Sequence, residues 1–250
     1  MVVPVSISNS SVYYLKWTGD DVSGSGSRDE FALDDVVIYA SSGAVISGDD
    51  GFRMMSSPVA GQIYGDLLDE LWTQGMTGSD AGTNGGLANV WVLNGYSGTQ
   101  DWTALTDISG TGASLTAGTG FLVYVFADTD WDGDSDLPVT LSVAGTENSS
   151  SASLGSIADG DYGLAGNPFA TTIDWDDVTK SSLSGTVNVW DDAASGWKSW
   201  NGSSGSLTNG LIAPYQGFWV EASGGTGSIT IETADKSNSS GTFYRTMDND

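Results

Sequence analysis

The chain has 250 residues, which is enough for one large domain or two of ordinary size. Its 32 acidic residues outnumber the 7 basic ones, and the formal net charge of −25 argues against binding to nucleic acids or anionic membranes. Cysteine and histidine are both absent, which excludes disulfides, thiolate or imidazole metal sites and catalysis by Ser-His-Asp or Cys-His groups. No apolar run approaches the ~18–20 residues of a transmembrane helix, so we expect no membrane insertion.

Composition also predicts the fold class and the habitat. The 35 glycines, together with abundant Ser, Thr and Asp, predict the many tight turns of an all-β protein. The acidic excess predicts a secreted, halophilic protein, because salt at 1 M screens charges within ~3 Å. The first residues, MVVPVSISNSSVYYLKW, lack the basic region and long apolar stretch of a secretion signal. We therefore expect this chain to be a piece of a longer exported protein.

The N-terminal part, residues 1–40, predicts the strands VYYLKWTGDD and FALDDVVIYA with a turn between them. Two or three strands are too few to bury a core alone. They are expected to be the terminal strands of a partial jelly-roll-like domain, which pair either with the rest of this chain or with a neighbouring one. Residues 41–50, SSGAVISGDD, are predicted to form a linker.

The rest of the chain contains two copies of one unit. Three segments of the first copy recur in the same order in the second, and such ordered matches indicate an internal duplication. The matching pairs are GFRMMSSP (51–58) with DYGLAGNP (161–168), NVW (89–91) with NVW (188–190), and ASLTAGTGFLVY (113–124) with GLIAPYQGFWVE (210–221).

Each copy has short apolar segments separated by Gly, Asn, Asp or Ser turns at roughly 8–12-residue spacing, which is typical of sandwiches and barrels. The expected fold is all-β, with two tandem homologous β-sandwich (jelly-roll-like) domains, short helical turns and the strands of the partial β-domain before them. The predicted boundaries are 1–40 for the partial domain, 41–50 for a linker, 51–145 for repeat 1, 146–160 for a linker, 161–235 for repeat 2 and 236–250 for a C-terminal tail.

Individual elements follow from the local patterns. FLVYVFA and LPVTLSVAG are predicted to be the two strands of a hairpin in copy one, as are FWVEA and SITIET in copy two. The segment YGDLLDELWTQG predicts a short helix, because apolar residues recur on one face at Leu67, Leu68, Leu71 and Trp72. DWDDVTKSSL is its weaker counterpart in copy two.

These repeats are similar to a known group of modules. The similarity rests on GFRMMSSPV, GLAGNPFATTIDWDDV, NVWDDAASGWKSWNG and LIAPYQGFWVEA, and it covers roughly residues 51–235. The chain resembles the repeated β-sandwich modules of large extracellular proteins that Bacteroidota-type bacteria export by the type IX secretion system. SGSGSRDEFALDDVVI also resembles the last strands of the jelly-roll modules that often precede them. The resemblance implies a surface-exposed or released protein with an adhesive, carbohydrate-binding or architectural role, and it carries no set of catalytic residues.

The acidic segment DTDWDGDSD is the candidate calcium site, with the ligands Asp128, Asp130, Asp132, Asp134 and Asp136. Calcium takes ~6–8 oxygen ligands, and loops of this spacing supply them around a glycine that permits a sharp turn. An EF-hand has a bidentate Glu at position 12, where this chain has Val139, so the alternatives are an incomplete calcium loop or a solvated turn. Copy two joins the equivalent strands through SGGTG alone, so we expect the fold to form without calcium.

The tryptophan-rich segment WDDAASGWKSWNG is the candidate carbohydrate site, with Trp190, Asp191, Trp197 and Trp200 as its residues. Exposed aromatic rings can stack on sugar faces, and a carboxylate can accept hydrogen bonds from sugar hydroxyls. The alternative is that these large side chains fill the core of sandwiches that contain little Leu or Ile. If WKSW is a strand, Trp197 and Trp200 point to opposite faces, so at most one of them faces the core.

The expected function is that of a non-enzymatic extracellular structural or adhesive surface protein, or a filament component. Its expected partners are neighbouring copies or other surface proteins bound through β-strand edges. The alternative is a carbohydrate-binding accessory module of a secreted hydrolase, with glycans as partners. An enzyme based on a carboxylate pair is disfavoured, because no acid/base constellation stands out and histidine is missing.

Overall fold

A computed structural model describes residues 44–59, 61–96, 98–110 and 113–244. These residues form fifteen β-strands and one short α-helix, which confirms the all-β prediction. The strands predicted within residues 1–40 lie outside the described residues.

Copy one contributes a four-stranded antiparallel sheet. Its strands are β2 (Gly51–Met55), β3 (Val90–Asn94), β4 (Asp101–Ala104) and β5 (Phe121–Val125). They lie in the order β2–β5–β3–β4, so the first strand of the copy pairs with the last. In β5 buried residues alternate with half-buried ones, which is the pattern of a central strand with its more deeply buried face on a core.

Copy two contributes a second sheet with the same strand order, β8–β14–β11–β12. These strands are β8 (Tyr162–Gly166), β11 (Leu183–Asp191), β12 (Gly196–Trp200) and β14 (Gly217–Ala222). Met55 pairs with Phe121 in the first sheet and Ala165 pairs with Phe218 in the second, which are the partners that the sequence alignment predicts. The equal order and register support the internal duplication.

The sheet register differs from the sequence alignment at the NVW motifs. Val90 pairs with Val123, whereas the residue opposite the equivalent Val220 is Val187, not the Val189 of the second NVW motif. The motif is therefore displaced by two residues along the strand. A two-residue shift keeps every side chain on its original face, so the motif can move without exchanging the buried and exposed faces.

Shorter elements complete the fold. Two small sheets have two strands each: β1 (Val45–Ile46) pairs with β6 (Val139–Thr140), and β9 (Ile173–Asp174) pairs with β13 (Leu211–Ile212). A three-stranded sheet has β15 (Gly227–Ile231) in the centre, with β10 (Thr179–Ser181) on one side and β7 (Ala152–Ile157) on the other. The α-helix α1 covers Tyr64–Leu67, and 3₁₀ turns cover Gly82–Asn84, Thr208–Gly210 and Thr233–Asp235.

The two predicted hairpins are wrong. β5 has β2 and β3 on its two sides, and β6 pairs instead with β1. Likewise β14 lies between β8 and β11, while β15 belongs to the three-stranded sheet. Because both edges of each central strand are already occupied, the chain leaves the sheet after β5 and after β14, and the next strand joins another layer.

Three other boundary predictions need correction. The expected linker 146–160 contains β7, whose buried Leu154 and Ile157 pack under the second sheet, and the expected linker 41–50 contains β1. In the expected tail, Lys236 forms a bridge with Ile173. The helix of copy one exists but is a single turn, and its expected counterpart in copy two contains the strand β10 instead. Low hydropathy conceals these strands, because three of the six residues of β7, one of the two in β1 and none in β10 are buried.

Three apolar clusters define the layers. One face of the first sheet packs on α1 and its neighbouring loops through residues such as Met55 and Phe121. One face of the second sheet packs on the three-stranded sheet through residues such as Val187 and Phe218. The remaining faces meet each other across a smaller cluster that consists of Met54, Leu93 and Leu164, with half-buried Tyr96, Leu122, Trp190 and Trp219 around it.

The two copies also exchange backbone contacts reciprocally. Met55 forms a bridge with Gln216 of copy two, and Ala165 forms the equivalent bridge with Thr119 of copy one. Equivalent residues of the two copies therefore make equivalent contacts with each other. The interface between the copies is self-complementary, like that of a two-fold symmetric dimer, but lies within one chain. Sequence analysis predicted tandem domains and did not reveal this shared interface.

Candidate functional sites

The acidic loop gathers three of its five candidate ligands. Carboxylate oxygens of Asp128, Asp130 and Asp136 all lie within 4.8 Å of one another, whereas Asp132 and Asp134 are not part of this group. The backbone folds the loop around the first aspartate, since the two oxygens of Asp128 accept hydrogen bonds from the amides of Asp132 (3.1 Å) and Gly133 (2.8 Å). Gly133 has φ of 104°, the conformation for which a glycine is favoured.

The charge in this loop is unbalanced. Partial desolvation and the negative charges of Asp132 and Asp136 raise the pKa of the Asp130 carboxyl. A divalent cation bound between these carboxylates would lower the pKa of Asp130 and so oppose the effect of the neighbouring negative charges. Three carboxylates are fewer than the oxygen ligands that calcium prefers, so water would have to complete the coordination.

Trp131 at the tip of the loop belongs to a row of aromatic rings. It is 57% exposed, has φ of 63°, and stacks on Trp72 at 5.2 Å between ring centroids. Phe126 meets Trp131 at 5.6 Å, and the row continues through Tyr124 and Phe52 to Trp91 at spacings of 5.1, 5.1 and 5.9 Å. These contacts attach the loop to the first sheet without any metal.

The candidate carbohydrate residues do not form one platform. Trp190 pairs with Trp197 across β11 and β12, and their rings meet at 5.2 Å on the face toward the first sheet. Trp200 lies on the opposite face, where it packs against the core of copy two. The prediction that at most one of Trp197 and Trp200 faces the core is confirmed, and the same alternation separates the residues predicted to act together.

Most polar side-chain atoms of this set already have partners, an exception being the buried Oδ1 of Asp191. The Asp191 carboxylate, which is largely buried, lies 3.2 Å from Lys198 Nζ. The indole N–H of Trp190 donates to Asp192 at 2.9 Å, and that of Trp200 donates to Asp176 at 3.0 Å. A sugar would have to displace these contacts to gain hydrogen bonds from the same atoms.

Sequence reasoning missed a buried arginine that lies close to a carboxylate of copy two. The side chain of Arg53 is fully buried and donates hydrogen bonds to the backbone carbonyls of Phe52, Ser47 and Asp49. Burial lowers the pKa of its guanidinium, whereas the charges of Asp192 and Asp191 from copy two raise it. The signal available in the sequence was its position in the strand GFRMM, where alternation places it beside buried residues on the inner face.

The sheet edges differ between the copies. β4 is the outer strand of the first sheet, its four residues are exposed, and no further strand pairs with it in the described part of the chain. The equivalent edge strand of the second sheet, β12, is covered by residues 204–207. There the Leu207 amide donates to the carbonyl of Ser199 at 3.0 Å, and the Ser199 amide donates to Ser206 Oγ at 3.1 Å.

No helix among the described residues is long and apolar enough to cross a membrane. Comparison with models of protein families, with curated proteins and with solved structures gave no match. The resemblance to modules of type IX-exported surface proteins therefore stays a prediction that rests on the quoted motifs alone.

Proposed function

We propose that the protein is a non-enzymatic structural or adhesive component of an extracellular surface or filament, and that copies associate through the edge of β4. In the described part of the chain, no strand pairs with the outer edge of β4, whereas the equivalent edge strand β12 is covered, and this observation carries the proposal. Unpaired edges are templates for strand addition, and natural proteins commonly block them when association is unwanted.

The hydrogen-bond pattern identifies the groups available to a partner strand. The amide of Leu105 donates inward to the carbonyl of Val90 at 2.9 Å. Since inward and outward amides alternate along an antiparallel edge, the amide of Ala104 points outward. Asp101 accepts a hydrogen bond from the Trp102 amide at 2.8 Å, so a partner would use the Ala104 amide first.

Net charge determines the conditions for association. At −25, two copies repel each other strongly at low ionic strength, and at 2 M salt this repulsion is screened beyond about 2 Å. The acidic excess and the motif resemblance both support an extracellular, saline location. We therefore expect monomers in 0.1 M NaCl and edge-to-edge oligomers in 2 M NaCl.

Sedimentation velocity in the two salt concentrations tests the proposal. Ala104→Pro removes the outward amide and should abolish the oligomers, whereas the matched Ala104→Ser keeps the amide and should retain them. Melting curves of both variants verify that the sheet is intact. A wild-type protein that stays monomeric at 2 M NaCl, or an Ala104→Pro variant that still associates, would contradict edge association.

Two other expectations concern carbohydrate and calcium. A carbohydrate-binding accessory module built on Trp190, Asp191, Trp197 and Trp200 is not proposed, because these residues lie on both faces of one sheet. Calcium binding by the acidic loop stays a prediction, for which the approach of Asp128, Asp130 and Asp136 is the favourable observation.

A further inference from the structure

The ring of Trp219 meets two other aromatic rings at nearly right angles where the two sheets adjoin. The half-buried ring of Trp219 contacts Trp102 at 5.7 Å with an interplanar angle of 81°, and contacts Tyr162 at 5.8 Å with an angle of 83°. Trp102 is 37% exposed and Tyr162 is 45% exposed, so the two outer rings stand in solvent beside a sheltered third. We call this set the aromatic cluster.

A carboxylate lies beside the aromatic cluster. Glu221 is directly opposite Tyr162 in the pairing of β14 with β8. It follows Trp219 by two residues in β14, so both side chains lie on the same face of the sheet. The faces of the rings carry negative electrostatic potential, and the carboxylate and the net charge of −25 add to it.

Contacts between the copies hold the cluster in place. The side chain of Gln100 donates to the Tyr162 carbonyl at 2.6 Å and accepts from the Tyr162 amide at 2.7 Å. The Asp161 carboxylate accepts from the Gly98 amide at 3.3 Å. These bonds fix the start of β4 against the start of β8, and so they fix Trp102 of copy one beside Tyr162 of copy two.

The duplication supplies a comparison within the molecule. By sheet register, Phe52 is the equivalent of Tyr162 and Trp197 is the equivalent of Trp102, and all four are exposed. The positions of Trp219 and Glu221 are occupied in copy one by Leu122 and Tyr124. The second location therefore lacks an indole and a carboxylate at these two strand positions, and its exposed Trp197 contacts the ring of Trp190 instead.

From this arrangement we propose that the aromatic cluster, with Glu221, binds an organic ammonium group such as a quaternary ammonium. Rings at right angles present their faces to one cation from several sides, and a methylated ammonium is weakly hydrated and so is readily taken from water. The acidic field excludes anions and attracts cations. This inference does not rest on association through β4, since the ligand contacts side chains and the partner strand would contact the backbone.

Tetramethylammonium chloride is the first probe, titrated into ¹⁵N-labelled protein at low salt where association is not expected. The indole N–H signals of Trp102 and Trp219 should move saturably, with one site and a dissociation constant on the order of millimolar. Sodium chloride at equal concentration should not move them. The uncharged isostere 3,3-dimethylbutan-1-ol should bind markedly more weakly than choline, because it has the same shape without the charge.

Three variants identify the residues. Trp102→Leu and Glu221→Gln should each weaken binding about two- to fivefold, the range of one exposed cation–π or ionic contact. Trp197→Leu changes the equivalent exposed tryptophan, at 49% exposure, and should leave binding unchanged. If the isostere and choline bind equally well, the site is apolar and the proposal is overturned. If the protein binds cello-oligosaccharides but does not bind tetramethylammonium, the site is a glycan site and the proposal is likewise overturned. Unmoved indole signals at 100 mM tetramethylammonium would refute it outright.

Discussion

Replacement of Arg53 by methionine tests whether the buried arginine holds the two copies together. Methionine keeps most of the side-chain length and removes the charge and the donors. In the variant, the carbonyls of Phe52, Ser47 and Asp49 lose their hydrogen bonds from the guanidinium. The carboxylates of Asp192 and Asp191 also lose the attraction of its charge, although Asp191 keeps its ion pair with Lys198. The effect therefore includes contacts within copy one and the electrostatic attraction between the copies.

The expected loss is large because the site is buried. Three backbone carbonyls lose a charged donor, and each buried polar group left without its partner costs about 1–3 kcal/mol, so the expected loss is about 3–5 kcal/mol. For a unit of this size the corresponding drop in melting temperature is about 6–20 °C. Urea unfolding at moderate salt is the assay, because guanidinium is itself a salt and would screen the charges.

Lys236→Met is the matched control. Lys236 forms an ion pair with Glu147 at 2.8 Å, but both side chains are about a third exposed, so the loss should stay below about 1 kcal/mol. Adding Asp192→Asn to Arg53→Met should restore part of the stability by removing the unpaired charge. A loss below about 1 kcal/mol for Arg53→Met, or no recovery in the double variant, would refute the electrostatic account.

Two further predictions concern the acidic loop and a buried phenol. Terbium luminescence sensitised by Trp131 should be lost in Asp128→Ala and kept in Asp134→Ala, because Asp134 lies outside the group of three carboxylates. The double variant Asp128→Ala with Asp132→Ala should still fold, because aromatic contacts anchor the loop. Unfolding of the double variant would contradict this. Burial, with a smaller contribution from Tyr96, raises the pKa of Tyr64 to about 12. The unfolded chain therefore releases this proton first as the pH rises above about 10, and the free energy of unfolding falls by about 2 kcal/mol by pH 11.5. Urea unfolding at pH 9 and pH 11.5 should show this loss in the wild type and a smaller one in Tyr64→Phe, and equal losses in both proteins would contradict it.

Patterns within one strand could be predicted from the sequence. The strands around Phe121 and Phe218, the opposite faces of Trp197 and Trp200 and the repeated unit all follow from period-two alternation and from internal similarity. These features depend on neighbours in the chain, and the structure contains them. The same alternation explains why the four predicted carbohydrate residues do not form one site. They are close in sequence, but neighbouring positions of a strand point to opposite faces of the sheet.

Pairing between strands could not be predicted in the same way. FLVYVFA and LPVTLSVAG resemble a hairpin locally, but β5 already has a strand on each side, so β6 pairs with β1. The strand β7 lies in an apparent linker, because two consecutive exposed residues, Gly155 and Ser156, interrupt the alternation of buried residues in ASLGSI. Competition for strand edges is a property of the whole sheet, and no short window of sequence contains it.

The sequence by itself determined the all-β class, the duplication and the acidic charge, because glycine-rich turns, recurring motifs and carboxylate counts are properties of the chain. Only the tertiary structure decided how the copies meet. It brought Arg53 to the carboxylates of copy two, set Trp102 beside Trp219 and Tyr162, and covered one sheet edge but left β4 without a partner strand among the described residues. The physical reason is that each copy has a sheet with two apolar faces, so burial of the second face requires the other copy.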